Sequence, residues 1–153
     1  TIQLDMNLPE RFDLNCTNEK GEQEQVVMIH AAIMGSIERY LSILIEHYAG
    51  AFPAWLAPIQ AMILPISEKH KKYAEEVLKE LTKHEIRVNI DNSNETLGKR
   101  IRESEMQKVP YILVGGEQEE TNKTVAVRQR EKGNQGEMTV NDFSEMIKKQ
   151  LPY

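Results

Sequence analysis

The chain opens on strict alternation, with Ile2, Leu4 and Met6 set against Gln3 and Asp5. Period two predicts a half-buried strand over residues 1–6 with Gln3 and Asp5 on one polar face, and Pro9 ends it. Residues 15–25 are polar around Gly21 and predict a hairpin-like connection. Val26 to Ile29 is a short, β-branched-rich apolar run that predicts a second, buried strand, closed by His30. Gly35 and Ser36 then open a helix with Ser36 as its N-cap. Ile37, Tyr40, Leu41, Leu44, Ile45 and Tyr48 recur at helical spacing and predict one buried stripe. A strand running through a small-residue turn into a helix presents backbone N–H groups to a ligand.

Residues 48–58 carry Gly50, Pro53 and Pro58 and the single tryptophan, Trp55. That density of breakers predicts a domain boundary, with Phe52 and Trp55 packing it down as a short linker. Beyond it, strand and helix patterns alternate. Residues 61–66 predict a strand. Ser67 caps a helix that buries Tyr73, Ala74, Val77, Leu78 and Leu81, and residues 86–90 form the next strand. Asn94 caps a helix through Lys108, residues 111–114 form a third strand, and residues 124–130 a fourth that joins antiparallel. Thr139 or Asn141 begins a last helix with Val140, Phe143, Met146, Ile147 and Leu151 inward. This order predicts an α/β domain of three layers whose mixed sheet is mostly parallel, with right-handed crossovers.

Composition narrows the function classes. The 153 residues are 40% hydrophobic and 28% charged, and no stretch approaches the roughly 18 uncharged apolar residues of a membrane span. The N-terminus has no basic and apolar leader pattern, and one cysteine, Cys16, cannot close an internal disulfide, so a reducing, cytoplasmic setting and no membrane partner are expected. The first residue is Thr1 rather than Met, which reads as a piece of a longer protein. A net charge of −5 argues against broad polyanion binding, so any nucleic-acid contact is local. The basic clusters at Lys99-Arg100-Ile101-Arg102 and Arg128-Gln129-Arg130 are otherwise read as solvated faces.

Three features carry candidate chemistry. Arg39 lies in the first turn of its helix, where the dipole disfavours a cation by about 0.3–1 kcal/mol; an anionic or aromatic ligand would explain it, and a surface pair with Glu38 would also do so. His30 is a lone imidazole: His47, His70 and His84 share no ligand spacing with it, and a zinc site needs at least three protein ligands. In an open α/β sheet, ligands bind beyond the carboxyl ends of the strands, where the loops 91–95 and 115–119 fall. Arg102 is one helical turn from Gly98, so its planar fork looks over a spot without a side chain and suits phosphate and base edges, unless it pairs with Glu95 or Glu105.

The turn and helix Gly35-Ser-Ile-Glu-Arg39 resemble motif 3 of the class II aminoacyl-tRNA synthetases. With TIQLDMNLPERFDL upstream, VMIHAAIMGSIERYLSILIEHYAGAFPAWLAP across the centre and KVPYILV downstream, the whole chain resembles the C-terminal part of the bacterial-type threonyl-tRNA synthetases. The resemblance implies two domains: residues 1–52, the end of the class II antiparallel-sheet catalytic domain, and residues 59–153, an anticodon-binding domain. It implies a parent threonine–tRNA ligase, likened to a homodimer, that activates threonine with ATP and Mg and transfers it to tRNA.

The same resemblance assigns residues. Arg39 stacks on and orients the adenine, and Ser36 and Gln3 line the ATP and threonine pocket. His30 falls on the third ligand of a zinc that binds threonine, the other two ligands lying upstream of Thr1. Asn94, Arg102, Glu119 and Arg128 fall on the residues that read the threonine anticodon. The chain departs from the family at Ala31, where an Arg beside the active site is usual, and at Ser93 and Thr96, where an Arg and a Lys are usual; reduced activity is expected from the first and weaker anticodon binding from the other two. A non-catalytic RNA-binding module and a synthetase-like interaction protein are the alternatives.

Overall fold

The protein is described by a computed structural model over residues 1–150; the expected inward position of Leu151 lies outside them. The chain divides into two compact units, Thr1–Glu46 and His47–Tyr153.

In the first unit, β1 (Ile2–Asp5) pairs antiparallel with β4 (Met28–Ala31), Gln3 standing opposite His30. The second strand therefore lies two residues later than the apolar run 26–29 predicts. Between them come α1 (Asn7–Arg11) and a hairpin of β2 (Asn15–Thr17) and β3 (Gln23–Gln25). The hairpin turns at Gly21, whose φ of +80° no side chain favours, and Asn18 Oδ1 accepts the Lys20 and Glu22 amides at 3.0 Å. Helix α1 is absent from the sequence expectation, which read Pro9 only as a strand terminator. Pro9 sits in its first turn, where a missing N–H costs nothing. Asp5 Oδ1 accepts the Asn7 and Leu8 amides at 2.9 and 3.0 Å and holds the helix start.

Helix α2 (Ile37–Tyr48) begins where Ser36 predicts: Ser36 Oγ accepts the Arg39 amide at 3.2 Å, after Gly35 at φ +74°. The expected burial does not follow. None of the α2 residues is buried, and Ile2 and Leu4 on β1 are 79% and 70% exposed. Two strands and a helix without a facing layer cannot close a core.

In the second unit, five strands stand in the order β6-β5-β7-β8-β9. Strands β5 (Ala61–Pro65), β6 (Val88–Ile90) and β7 (Tyr111–Gly115) are parallel, whereas β8 (Thr124–Gln129) and β9 (Gly133–Thr139) add antiparallel. The mixed sheet and the antiparallel fourth strand are as expected. Strand alternation splits the core in two. Ile63, Leu113, Val125 and Val127 pack with Tyr73, Ala74, Val77 and Leu81 of α3 (Lys71–Lys83) and with Phe143 and Ile147 of α6 (Val140–Lys148). Met62, Leu64, Ile112 and Val114 pack with Leu97 and Ile101 of α4 (Leu97–Met106). All five residues of β5 and of β7 are buried, as central strands covered on both faces require.

Two caps differ from expectation. Ser67 makes no side-chain cap and leads instead into a 3-10 turn, Glu68–His70, before α3. Helix α4 is capped by Thr96, whose Oγ1 accepts the Lys99 amide at 3.4 Å, and not by Asn94. Thr139 does cap α6, accepting the Asp142 amide at 3.1 Å. The linker is fixed by its carbonyls: Arg130 donates to Ala51 and Phe52, Arg87 to Trp55 and Ala57, and Gln60 to Ala54. Ala54 and Ala57 are buried, while Trp55 keeps more than a third of its surface. Small side chains and carbonyls pin this segment, rather than its aromatics.

Candidate functional site

The β1–β4 ladder gathers Gln3, Asp5 and His30. Asp5 stands opposite Met28, one diagonal step from His30, and the His30 Nε2–H donates to Asp5 Oδ2 at 2.9 Å. The Leu8 amide on its other oxygen, then the imidazole, hold the Asp5 carboxyl below its ordinary value. Gln3 is exposed and unengaged among the described residues. Asp5 is thus the partner of His30 that sequence reading missed; both lie on paired strands, but their adjacency depends on a register no spacing discloses. Zinc ligation is not satisfied within this chain. His30 is one imidazole with one ring nitrogen already engaged, and the described residues contain no group of three or more His, Cys, Asp or Glu that could hold a metal.

At the start of α2, Arg39 is exposed and makes no ion pair among the described residues, so the expected surface pair with Glu38 does not form. Its side chain folds back over Gly35, where a Cβ would lie 3.7 Å from Arg39 Cδ. Glu38 is held below its ordinary value by its own backbone N–H and then by the Ser36 hydroxyl. The carboxylate completes the helix start and leaves the guanidinium uncompensated.

In the second unit, the basic run on α4 divides. Lys99 pairs with Glu95 at 2.6 Å. Arg100 is 4% exposed: its Nε meets Asp91 Oδ2 at 3.3 Å, its Nη1 donates to the Pro65 carbonyl at 2.8 Å, and its Nη2 donates to the Asp91 carbonyl. It ties the carboxyl end of β5 to the loop after β6. Burial pushes the Asp91 carboxyl up, but hydrogen bonds from Ser93 and the Arg100 charge outweigh it and leave it below its ordinary value. Arg102 points outward and is without an ion pair among the described residues, since Glu95 is taken by Lys99 and Glu105 by Arg128. A Cβ on Gly98 would touch nothing within 4 Å, so the spot beside Arg102 is open.

Arg128, on β8, lies opposite Ile112 and so on the α4 side of the sheet. Its Nη2 is 3.9 Å from Glu105 Oε1, and its Nε is buried without a hydrogen-bond partner. Glu105 is three residues from Arg102 on α4, which brings the two arginines to one flank.

Asn94 and Glu119 stand elsewhere, at the carboxyl ends of β6 and β7. Asn94 is exposed in a cleft it shares with Ser67, Lys71, Asp91 and Glu95. Glu119 belongs to a short helix, α5 (Glu117–Asn122), where the sequence predicts a loop, and its Oε2 accepts the Gly116 amide at 2.9 Å. No hydrogen bond or ion pair joins any two of Asn94, Arg102, Glu119 and Arg128 among the described residues.

Comparison with known proteins accounts for both units. Residues 60–150 match the anticodon binding domain family, and residues 1–48 match the tRNA synthetase class II core domain (G, H, P, S and T). The chain is 48% identical over 151 residues to a threonine–tRNA ligase of Caldanaerobacter subterraneus subsp. tengcongensis and 50% identical to one of Clostridium novyi. In each case 99% of this chain is covered, but only 23% and 24% of the relative, so the chain spans about a quarter of their length. Among solved structures, the RNA binding domain of threonyl-tRNA synthetase from Cryptosporidium parvum superposes with a TM-score of 0.81 at 37% identity, over 98% of this chain and 38% of that one. A prolyl-tRNA synthetase of the same organism shares the fold alone, with a TM-score of 0.64 at 21% identity, over 97% of this chain and 33% of the other. The chain belongs to the anticodon binding domain family, and ahead of that domain its residues 1–48 match a class II tRNA synthetase core domain.

Proposed function

We propose that this chain is the C-terminal part of a threonine–tRNA ligase, in which residues 59–153 bind the anticodon of the threonine tRNA and residues 1–52 complete the adenylation site. The observation that carries the reading is the unbroken match, near half identity across both units, to relatives named threonine–tRNA ligase. An RNA module unconnected with ligation, or an interaction protein, would have no need of the first unit's Gly35-Ser36-Arg39 start.

The roles follow from chemistry. Arg39, a cation without a carboxylate partner at a helix N-terminus, suits the adenine face and phosphates of ATP, which binds with Mg in this class. Ser36 fixes the turn that aims it, and Gln3 offers an amide to the same pocket. His30 is read as one of three zinc ligands, oriented by Asp5; the other two belong to the longer protein, and no step is derived through the metal. Arg102 and Arg128 supply directed donors to bases or phosphates, Glu119 keeps Oε1 for a base N–H, and Asn94 can both donate and accept. The whole ligase is read as a cytoplasmic homodimer acting on threonine. Among the described residues, no helix is long and apolar enough to cross a membrane.

Titration of a labelled threonine anticodon stem-loop tests the RNA reading. Each charge-assisted hydrogen bond contributes about 1.5–3 kcal/mol, so Arg102→Ala and Arg128→Ala each weaken binding roughly ten- to a hundred-fold, whereas Lys79→Ala on exposed α3 surface does little. Equal losses for a stem-loop of scrambled anticodon would overturn base reading. The chain alone forms no threonyl-adenylate, because one zinc ligand of three is present. An ATP–pyrophosphate exchange signal above that of His30→Ala would contradict this.

A further inference from the structure

We propose that Glu105 is a placeholder for RNA, a carboxylate that neutralises Arg128 in the free protein and has to leave before Arg128 engages an anticodon loop. The inference rests on the reading of Arg128 as an RNA contact and adds a residue to that site.

Three observations support it. Arg128 makes no side-chain hydrogen bond among the described residues, and its Nε–H is buried with no acceptor. Its sole ion-pair contact there is Glu105 Oε1 at 3.9 Å, beyond hydrogen-bonding reach. The two side chains are 38% and 54% exposed, so both are reached by solvent and by a docking strand. A carboxylate at this distance offsets charge but does not orient the guanidinium, because orientation needs the paired N–H···O geometry that the fork provides. An RNA acceptor that reaches the solvent-exposed end of the side chain can supply what Glu105 does not, a direct hydrogen bond to the guanidinium Nη groups.

Glu105 therefore competes with RNA rather than preparing Arg128 for it. Displacement has one cost for every RNA that engages Arg128, and a base or phosphate that binds the guanidinium in full offsets it where a loose contact does not. Arg102, one turn back on the same flank and without an ion pair, lies within reach of the same carboxylate's field.

A double-mutant cycle on the 153-residue chain, read with the threonine anticodon stem-loop and one of changed anticodon, tests this. Glu105→Gln keeps the shape and removes the charge. Expected is about three-fold tighter binding of the threonine stem-loop, and a gain no larger for the changed one, as befits a solvent-exposed pair. The gain disappears in the Arg128→Ala background. Glu75→Gln, an exposed acid on α3, gives no such gain and controls for net charge. Weaker binding by Glu105→Gln would show that the carboxylate orients Arg128 and would overturn the proposal, as would an equal gain from Glu75→Gln or one that persists without Arg128. Loss of binding in Arg128→Ala with no gain in Glu105→Gln overturns the placeholder alone. Unchanged binding in Arg128→Ala overturns the RNA role of Arg128, and the placeholder with it.

Discussion

Within a single turn of α4, three neighbouring cations meet three environments. Lys99 is spent on Glu95, Arg100 is folded into the protein, and Arg102 faces solvent. Arg100→Ala leaves Asp91 and two carbonyls without their donor, a change that lowers unfolding free energy by about 3 kcal/mol, checked by denaturant titration. Asp91 gives a pH signature of known sign. Its carboxyl is held below the ordinary value near 3.8, so its contribution is fully present above that value and is lost as pH falls through the lower, native one. Asp91→Asn removes that part of the acid dependence; an unchanged stability profile below about pH 4 would refute it. The sequence made the residue types of this site legible, and by family resemblance their roles. It did not tell Arg100 from Arg102, because two residues along a helix change which face a side chain takes, and only the position of the sheet decides which face is inward. For the same reason Asp5 beside His30 and Glu105 beside Arg128 went unseen.

At the scale of elements, apolar periodicity found what is buried and missed what is polar. Helix α5 reads Glu-Gln-Glu-Glu-Thr-Asn and β9 reads Gly-Asn-Gln-Gly-Glu-Met-Thr, neither with an apolar face to detect. Both exist because of local and ladder hydrogen bonds: Glu119 closes the N-terminus of α5 on the Gly116 amide, and β9 completes the edge beside β8. None of the α5 residues is buried, so its place is set by side-chain links. One is the His70 Nδ1–H donating to Glu120 Oε2 at 2.8 Å, across 50 residues of sequence, with the His70 side chain largely covered. His70→Ala should therefore raise amide exchange in residues 117–122 ten-fold or so, with the thermal midpoint little moved, since this is local rather than global opening. Protection unchanged there would mean the helix holds without the link. Gly116 is constrained differently: a Cβ there would overlap Ile66 Cδ1, so Gly116→Ala makes the half-exposed Ile66 side chain swing aside.

The two units of the molecule differ in what they bury. In residues 1–46, Pro9 is the one buried residue, and Ile33 is 90% exposed; every buried hydrophobic residue of the core lies at Ala54 or later. The apolar stripe on α2 and the alternation of β1 predict burial that does not occur, because a pattern states which face seeks a partner and not whether this length of chain supplies one. The chain is about a quarter of its relatives, and residues 1–48 match a core domain. A peptide of residues 1–46 is therefore expected to show no cooperative unfolding, because roughly 1–2 kcal/mol of backbone entropy per ordered residue is not offset by buried surface. The second unit has two cores on one sheet and is expected to fold alone, but where it is cut matters. Residues 48–58 look like a linker by their prolines and glycine, yet Arg87 and Arg130 reach back to four of their carbonyls, and Ala54 and Ala57 are buried. A chain beginning at His47 keeps these bonds; one beginning at Ile59 removes the five carbonyls that Arg130, Arg87 and the Gln60 amide donate to. At about 1 kcal/mol for each such hydrogen bond, the shorter version loses several kcal/mol and unfolds well below the longer one. Thermal melts of the two truncations, read side by side by circular dichroism, decide it: coincident midpoints would mean that residues 47–58 are a tether and not part of the fold.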